Sequence, residues 1–323
     1  MPVVESSYVA PFGFGNGHVQ TIYAALFRKM RAIGFERERI ATPDADFLDL
    51  DWHRPQKSRR LVVISHGLES DSRDTGVVAM AKAFVEAGWD ALAWNYRGCS
   101  GEVNLRPRSY HSGATEDLEA VVQHALATGR YERIALVGLS LGGNLTLKYL
   151  GDLGSRVDSR ICASVNISAP CDIASSSMKL QSRSNAIYMR RFLRRLSAKV
   201  RSKMPLFPDE ITDKGLKGMR TFEEFDNAYT APLHGFADAR DYWKRASSRP
   251  VLSRIAVPTL LVNAENDPFL APECFPREEA LASEAFTLEV PGSGGHLGFV
   301  TFRGGGRYWT EQRALDFVLS SGF

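Results

Sequence analysis

Short apolar runs alternate with amphipathic stretches along most of the chain after residue 60. The apolar runs are rich in β-branched residues, and most are followed by a stretch with helical periodicity. Near-continuous apolar strands of this kind are typical of a parallel sheet that helices cover on both faces. Strands are predicted at 60–67, 89–98, 133–140, 161–170, 259–267 and 286–292, and helices at 77–88, 112–129, 142–151 and about 307–320.

Three segments depart from this alternation. Residues 36–53 alternate polar and apolar positions, which predicts antiparallel strands at one edge of the sheet. Residues 18–30 are apolar and amphipathic, and we expect them to pack on the core or to rim an acyl pocket. Residues 171–250 read as mostly helical and predict a helical cap. The chain is therefore predicted to be one α/β domain over 1–323, with a mostly parallel central sheet, helices on both faces and a cap insertion at 171–250.

Composition is that of an ordinary globular protein, with 44% hydrophobic and 24% charged residues among 323 and a net charge of +3. The four cysteines are scattered, which favours a reduced, cytoplasmic protein. The first residues show neither a basic nor an apolar signal-peptide region, and no apolar run reaches the ~18 residues that would span a bilayer. We therefore expect a cytoplasmic location.

Ser140 is the predicted nucleophile. It stands in Gly-Leu-Ser-Leu-Gly, directly after a predicted strand and before a predicted helix, which is the context of a nucleophile elbow. A serine hydroxyl is a weak nucleophile and must be held exposed beside a base. The glycines at 138 and 142 leave room for the tight turn that this requires.

The predicted acid and base follow Ser140 in chain order. Asp267 ends the predicted strand 259–267, and His296 lies in a glycine-rich loop after the last predicted strand. The carboxyl ends of parallel strands share one sheet edge, so both should meet Ser140 there. Glu265 is the alternative acid, because on an ideal strand it would point the same way as Asp267.

An oxyanion hole is expected from two backbone N–H groups. Leu141 directly follows the predicted nucleophile. Leu68 lies in the His-Gly loop after the first parallel strand, which is where the second N–H donor of an oxyanion hole normally comes from. His66, in the same loop, is a candidate for the cleft or for supporting the reactive groups.

Residues 95–113 are crowded with reactive side chains. Cys99 could act as a thiol nucleophile with His111 as its base, but it lies one β-α unit before the elbow. We therefore expect this stretch to form the scaffold and rim of the cleft. Arg108 and His111 are candidates to line the cleft or support the catalytic residues.

With these residues assigned, the chain resembles the α/β-hydrolase superfamily and, within it, the YheT-type and ABHD1/ABHD3-like hydrolases. The resemblance covers nearly the whole chain, and its motifs lie at 16–22, 65–70, 96–104, 108–118, 138–151, 230–247, 263–269 and 294–300. It implies the charge relay Ser140, Asp267 and His296. It also implies esterase-like hydrolysis of acyl esters, with lipid or phospholipid substrates in some relatives.

The segment from Lys179 to Lys203 carries nine Lys or Arg residues and no acid. We expect a cap helix whose basic face is solvated, with peripheral contact to anionic lipid through 187–203 as the sharper alternative. Nucleic acid is not an expected partner. No P-loop, completed dinucleotide fingerprint or zinc-ligand spacing occurs, so no cofactor or metal is expected.

These observations predict a serine hydrolase that cleaves small-molecule acyl esters of short to medium chain length through an acyl-enzyme. A lipid or phospholipid acyl hydrolase and a thioesterase are alternatives that use the same residues. A membrane-associated binding protein that keeps the fold without turnover is the alternative from another class.

Overall fold

The computed structural model describes residues 2–30, 33–55, 57–302 and 306–321, and within them nine strands form one sheet. The strands are β1 (Val3–Val4), β2 (Glu36–Ala41), β3 (Phe47–His53), β4 (Arg60–Ser65), β5 (Asp90–Asn95), β6 (Arg133–Leu139), β7 (Ile161–Ile167), β8 (Thr259–Val262) and β9 (Phe286–Glu289). Their spatial order is β1-β9-β8-β7-β6-β4-β5-β3-β2.

The sheet is mostly parallel. Strands β4 to β9 pair in parallel, β2 pairs antiparallel with β3, and β3 pairs antiparallel with β5. The predicted fold class is therefore confirmed. Strand β1 was not predicted; it is only two residues long and pairs in parallel with β9.

Helices cover both faces of the sheet. They are α1 (Gly17–Phe27), α2 (Thr75–Glu86), α3 (Thr115–Ala127), α4 (Leu141–Leu153), α5 (Ile173–Leu180), α6 (Ala186–Lys203), α7 (Phe222–Phe225), α8 (Ala231–His234), α9 (Ala239–Ala246), α10 (Arg277–Leu281) and α11 (Trp309–Ser320). One buried cluster joins the sheet to α2 and α11, and another joins it to α3, α4 and α10.

Helices α5 to α9 all lie between β7 and β8 in the chain. They pack on one another through a third apolar cluster, which includes Met189, Leu193, Phe222 and Trp243. Phe269, from the loop after β8, joins this cluster and connects it to the carboxyl edge of the sheet.

Several predicted boundaries were wrong by two residues or more, and for one strand local hydrogen bonding gives the reason. The strand predicted at 259–267 ends at Val262, because the Asn263 side chain bonds the backbone of Ala169 and Cys274 and the chain then turns. The helix predicted at 112–129 begins at Thr115.

Candidate active site

Ser140 occupies a sharp turn between β6 and α4. Its backbone has φ 54° and ψ −118°, a conformation that non-glycine residues rarely adopt and that is characteristic of functional sites. A Cβ atom at Gly138 would lie 2.4 Å from the Gly142 carbonyl oxygen, and one at Gly142 would lie 2.2 Å from the Ser65 carbonyl oxygen. Only glycine fits at these two positions, so the turn that presents Ser140 depends on both.

Ser140, His296 and Asp267 form one hydrogen-bonded chain. The Nε2 atom of His296 lies 2.8 Å from Ser140 Oγ, and its Nδ1 atom lies 2.8 Å from Asp267 Oδ2. A carboxylate accepts, so Nδ1 carries the ring proton and Nε2 can accept the Ser140 hydroxyl proton. The structure thus brings together the three residues that the sequence singled out.

Asp267 lies in the loop after β8 and not on the strand. It is 1% exposed, its backbone N–H donates to Ala264, and its Oδ1 accepts the N–H of Phe269 at 2.8 Å. The alternative acid, Glu265, is exposed to solvent. Glu265 and Asp267 do not share a strand face as predicted, because β8 ends at Val262.

The loop that carries His296 is fixed from several sides. Its backbone N–H donates to Thr21 Oγ1 at 2.8 Å, and the next N–H, from Leu297, donates to Ser168 Oγ at 3.0 Å. A Cβ at Gly295 would lie 2.3 Å from the Gly17 carbonyl oxygen. Helix α1 therefore presses directly on this loop and sets the position of the imidazole.

The loop after β4 lies beside Ser140. A Cβ at Gly67 would be 3.5 Å from the Ser140 Cβ, and Leu68 and Leu141 line the same cavity as Ser140 and His296. Within the part of the chain that the structure describes, neither the Leu68 nor the Leu141 N–H donates an intramolecular hydrogen bond. Two unengaged donors therefore lie next to the serine, one of them at the N-terminus of α4.

His66 lies beneath this loop and not in the cavity. It is fully buried; its Nδ1 bonds the Gly67 carbonyl oxygen at 2.8 Å, and its Nε2 accepts the Tyr96 N–H at 3.2 Å. Burial lowers the pKa of His66 to about 3, so the ring is neutral. His66 therefore acts as a fixed support for the loop.

Glu69, which follows Leu68, is held from two elements. Its backbone has φ 53°, its carboxylate accepts from Tyr110 at 2.8 Å, and it pairs with Lys199 of α6 at 2.9 Å. Arg195, also on α6, donates to the Glu69 carbonyl oxygen at 2.9 Å. This cluster was not predicted. Lys199 was expected on the solvated face of α6, whereas its side chain is only 12% exposed.

Cys99 is not positioned as a nucleophile. Its Sγ accepts from Lys199 Nζ at 2.9 Å, while the ring of His111 faces His234, Phe236 and Tyr242 instead. Burial raises the pKa of the Cys99 thiol to about 11, so the thiolate is scarce near neutral pH.

Arg108 does not line the cavity beside Ser140, and that part of the prediction was wrong. Its guanidinium pairs with Asp44 and Glu116 and is drawn to the molecular surface. The backbone carbonyl of Arg108, however, accepts from Lys203 Nζ at 2.8 Å. Arg108 therefore belongs to the scaffold of the rim.

His111 does line the cavity. The N–H of Gly113 donates to its Nδ1 at 3.1 Å, and its ring packs edge-on against His234. Burial holds the pKa of His111 well below its ordinary value, so the ring is neutral. His111 contributes a neutral polar group to the wall.

The cavity at Ser140 has a volume of about 150 Å³ and lies between the sheet edge and helices α5 to α9. Its apolar wall comes chiefly from those helices and includes Leu180, Phe192, Leu196, Val200, Phe222 and Phe225. A smaller polar wall comes from residues 109–112. This combination suits a substrate with one hydrocarbon part and one polar part.

The described ranges contain neither a metal-binding cluster nor a membrane-spanning helix. No group of three or more His, Cys, Asp or Glu side chains there could hold a metal ion. No helix in the same ranges is both long and apolar enough to cross a bilayer.

The chain is similar to known hydrolases. Residues 56–285 match the family model Hydrolase_4, described as serine aminopeptidase, S33. The chain is 34% identical to "Putative esterase YheT" of Escherichia coli (strain K12), over 97% of this chain and 93% of that protein. It is 28% identical to "Phospholipase ABHD3" of Mus musculus, over 93% of this chain and 74% of that protein.

Among solved structures, the Pyrococcus furiosus esterase Pf2001 has the same fold, with a TM-score of 0.59 and 16% identity over 92% of this chain and 98% of that one. The resemblance to YheT-type and ABHD3-like proteins is confirmed, and an enzyme is favoured over a binding protein without turnover. The chain therefore belongs to the Hydrolase_4 family of α/β hydrolases and is a hydrolase of the esterase type.

Proposed function

We propose that this protein is a serine esterase in which Ser140 is the nucleophile, His296 the general base and Asp267 the residue that orients the imidazole. The observation that carries the proposal is the continuous hydrogen-bonded chain, with 2.8 Å at each of its two contacts. The strained turn at Ser140 supports it, because such strain persists where a side chain must be presented for reaction.

The first half-reaction forms an acyl-enzyme. Ser140 Oγ attacks the ester carbonyl carbon while His296 Nε2 takes the hydroxyl proton, and the Asp267 carboxylate stabilises the resulting imidazolium. The N–H groups of Leu68 and Leu141 donate to the oxyanion of the tetrahedral intermediate. That intermediate collapses, the carbon–oxygen bond to the alcohol breaks, and His296 returns its proton to the departing alkoxide.

The second half-reaction uses water. His296 removes a proton from a water molecule as its oxygen attacks the acyl carbonyl carbon. The new tetrahedral intermediate expels Ser140 Oγ, which recovers its proton from His296, and the carboxylic acid leaves. The enzyme returns to its starting state without a redox step.

Helices α5 to α9 form the cap, and the apolar wall they supply holds the acyl chain. A cavity of about 150 Å³ matches, in order of magnitude, one that accommodates a benzene molecule, so a chain of short to medium length fits. The small-molecule partner is therefore an acyl ester, and the whole chain acts as one domain with the cap inserted at 171–250.

Ser140→Ala tests the catalytic assignment. We expect it to abolish hydrolysis of p-nitrophenyl esters and labelling by a fluorophosphonate while the thermal unfolding midpoint stays near that of the wild type. Cys99→Ala is the matched control and should remain labelled. Undiminished turnover by Ser140→Ala would overturn the proposal.

A series of p-nitrophenyl esters of increasing chain length, with a phosphatidylcholine beside them, tests the substrate class. We expect the highest kcat/KM at short to medium chains, because longer chains exceed the cavity. The similarity to a protein named as a phospholipase makes phospholipid the second candidate. Greater activity on the phospholipid than on every soluble ester would favour that alternative.

A further inference from the structure

Helix α1 is turned with its polar side inward. Its buried positions are Gly17, Gln20 and Thr21, whereas four large apolar side chains point to solvent with exposures from 38% to 63%. Those four are Val19, Ile22, Leu26 and Phe27. Their spacing is that of the apolar stripe that a helix normally buries against a core. In α1 this stripe faces the solvent.

This orientation is fixed by the buried side. Thr21 accepts from the backbone of His296, and Gln20 Oε1 accepts from the Tyr8 hydroxyl at 2.7 Å and from the Val300 N–H at 3.1 Å. The Gln20 amide group also donates to the Phe14 carbonyl oxygen at 2.7 Å. Rotating α1 to bury its apolar stripe would break all of these bonds, so the stripe stays outside.

Further aromatic side chains extend the stripe. The ring of Phe14 contacts those of Tyr23 and Phe302, and Phe302 is 62% exposed. Phe12, two residues before Phe14, is fully exposed. We define the α1 apolar face as Phe12, Val19, Ile22, Leu26, Phe27 and Phe302. Several large apolar side chains exposed together in this way are uncommon on a folded protein and mark an interaction site.

The basic helix α6 begins beside α1. The Tyr188 hydroxyl lies 3.1 Å from His18 Nδ1, the two rings stack, and the neighbouring Ile187 is 69% exposed. Arg190, Arg191 and Arg194 follow on the exposed surface of α6. No acidic residue occurs between Lys179 and Lys203, so every charged side chain that α6 itself contributes to this surface is positive.

The same junction reaches the candidate active site. Tyr188 packs on Phe269 with ring centroids 4.8 Å apart, and Phe269 packs on His296 at 4.2 Å. Only the side chains of Tyr188 and Phe269 therefore separate a binding partner on α1 and the start of α6 from His296, the proposed catalytic base.

We propose that the α1 apolar face and the exposed arginines of α6 together dock the protein on an anionic lipid bilayer. Apolar side chains beside a cluster of arginines match the acyl boundary and the negatively charged headgroups of such a surface. The sequence indicated contact through 187–203 alone, whereas the structure adds α1 as the apolar half of the surface. The proposal rests on the proposed function only in that docking would bring lipid acyl esters to Ser140.

Vesicle co-sedimentation tests the docking, with vesicles of phosphatidylcholine alone and of phosphatidylcholine mixed equally with phosphatidylglycerol. We expect the wild type to bind the mixed vesicles, and Leu26→Ser/Phe27→Ser to bind at least about tenfold more weakly because two apolar anchors are lost. Leu281→Ser, at a leucine on α10 that is 68% exposed, is the matched control and should bind like the wild type.

A second double variant, with its own control, tests the contribution of the α6 arginines to vesicle binding. Arg190→Gln/Arg194→Gln should weaken binding to mixed vesicles about tenfold or more and should remove most of its salt dependence. Arg59→Gln/Arg240→Gln, with exposed arginines outside α1 and α6, should bind like the wild type. Thermal unfolding midpoints check that all variants are folded.

Failure of wild-type binding to both vesicle types, or unaltered binding by Leu26→Ser/Phe27→Ser, would overturn the proposal. Analytical ultracentrifugation adds a further test: a wild-type dimer that this variant dissociates would identify a second copy of the chain as the occupant instead. Ser140→Ala should bind vesicles normally, so loss of catalysis and loss of docking are separable results.

Discussion

The Thr21 hydroxyl accepts a hydrogen bond from the backbone N–H of His296 at 2.8 Å, across 275 positions of the chain. The same hydroxyl donates to the Gly17 carbonyl oxygen at 2.7 Å, so its rotation is fixed. Helix α1 is thus a direct support of the proposed base, although it lies outside the β-α core.

Replacing Thr21 by Val should therefore lower kcat about tenfold with little change in KM. The substitution keeps the shape but leaves the buried His296 N–H without an acceptor, which costs about 1–3 kcal/mol at the position of the imidazole. Thr21→Ser preserves the hydroxyl and should restore activity. Steady-state kinetics on a soluble ester decide the matter; equal kcat values for wild type and Thr21→Val would contradict it.

Lys199→Met should both destabilise the protein and impair turnover. The Lys199–Glu69 pair is nearly buried, so removing the cation leaves the Glu69 carboxylate with the Tyr110 hydroxyl but without a compensating charge, at a cost of about 3 kcal/mol. Because Glu69 follows Leu68, we also expect kcat to fall as the loop after β4, with its proposed oxyanion donor Leu68, loosens.

The double variant Glu69→Gln/Lys199→Met separates the two effects. Removing both charges should recover much of the thermal stability, whereas kcat should stay low because the loop has still lost its ion pair with α6 and keeps only the Arg195 bond to the Glu69 backbone. Arg201→Met, at an exposed position on the same helix, is the control. Recovery of both stability and kcat in the double variant would show that Lys199 has only a structural role.

Asp226 should make stability depend on pH. Burial raises the pKa of this carboxyl to about 6, although Thr230 and Trp243 donate hydrogen bonds to it. The folded state binds this proton more tightly than the unfolded state does. The contribution of Asp226 to the free energy of unfolding is therefore complete below its ordinary pKa of 3.8 and is lost as the pH rises through about 6.

Asp226→Asn should remove this dependence. Between pH ~4 and pH ~8, the free energy of unfolding of the variant should rise relative to the wild type by on the order of 2 kcal/mol. Urea denaturation at several pH values measures the difference. A difference that is constant over this range would contradict the prediction.

Cys99 should react slowly with alkylating reagents in the folded protein. Its thiol pKa is raised to about 11, so little thiolate exists at pH ~8. Iodoacetamide should therefore modify Cys99 much faster after unfolding than before, as peptide mass spectrometry would show. Rapid modification of native Cys99 with parallel loss of esterase activity would revive the thiol as the nucleophile.

The central β-α units were predictable because their signal is local. A buried parallel strand must be apolar throughout, and the helix beside it must show one apolar face, so each can be identified from a few residues. The order of Ser140, Asp267 and His296 also follows local rules, since each lies just beyond a strand. Chain connectivity then brings these positions to one edge of the sheet.

Other features depend on distant partners that a periodic pattern does not contain. The buried guanidinium of Arg97 pairs with three carboxylates, those of Asp44, Asp46 and Asp117, all of them distant from it in the sequence. Lys199 was assigned to solvent because a basic residue on an amphipathic helix is usually exposed, and only Glu69 explains why it turns inward.

Helix α1 shows the clearest difference between the sequence prediction and the structure. Its apolar stripe predicted packing on the core or at the rim of an acyl pocket, and the structure exposes that stripe instead. The reason is that the His296 loop needs the hydrogen bonds that Thr21 and Gln20 supply. Periodicity locates the stripe but cannot say which side of the helix the fold requires.

The contact between Thr21 and His296 also has a consequence for biosynthesis. A nascent chain on the ribosome cannot form it until residue 296 has emerged, long after α1 has been made. Ser140 is therefore synthesised well before the proposed base, His296, can be fixed beside it. Esterase activity should appear only after residue 296 has left the ribosome, and arrested chains that stop before this residue should be inert toward esters.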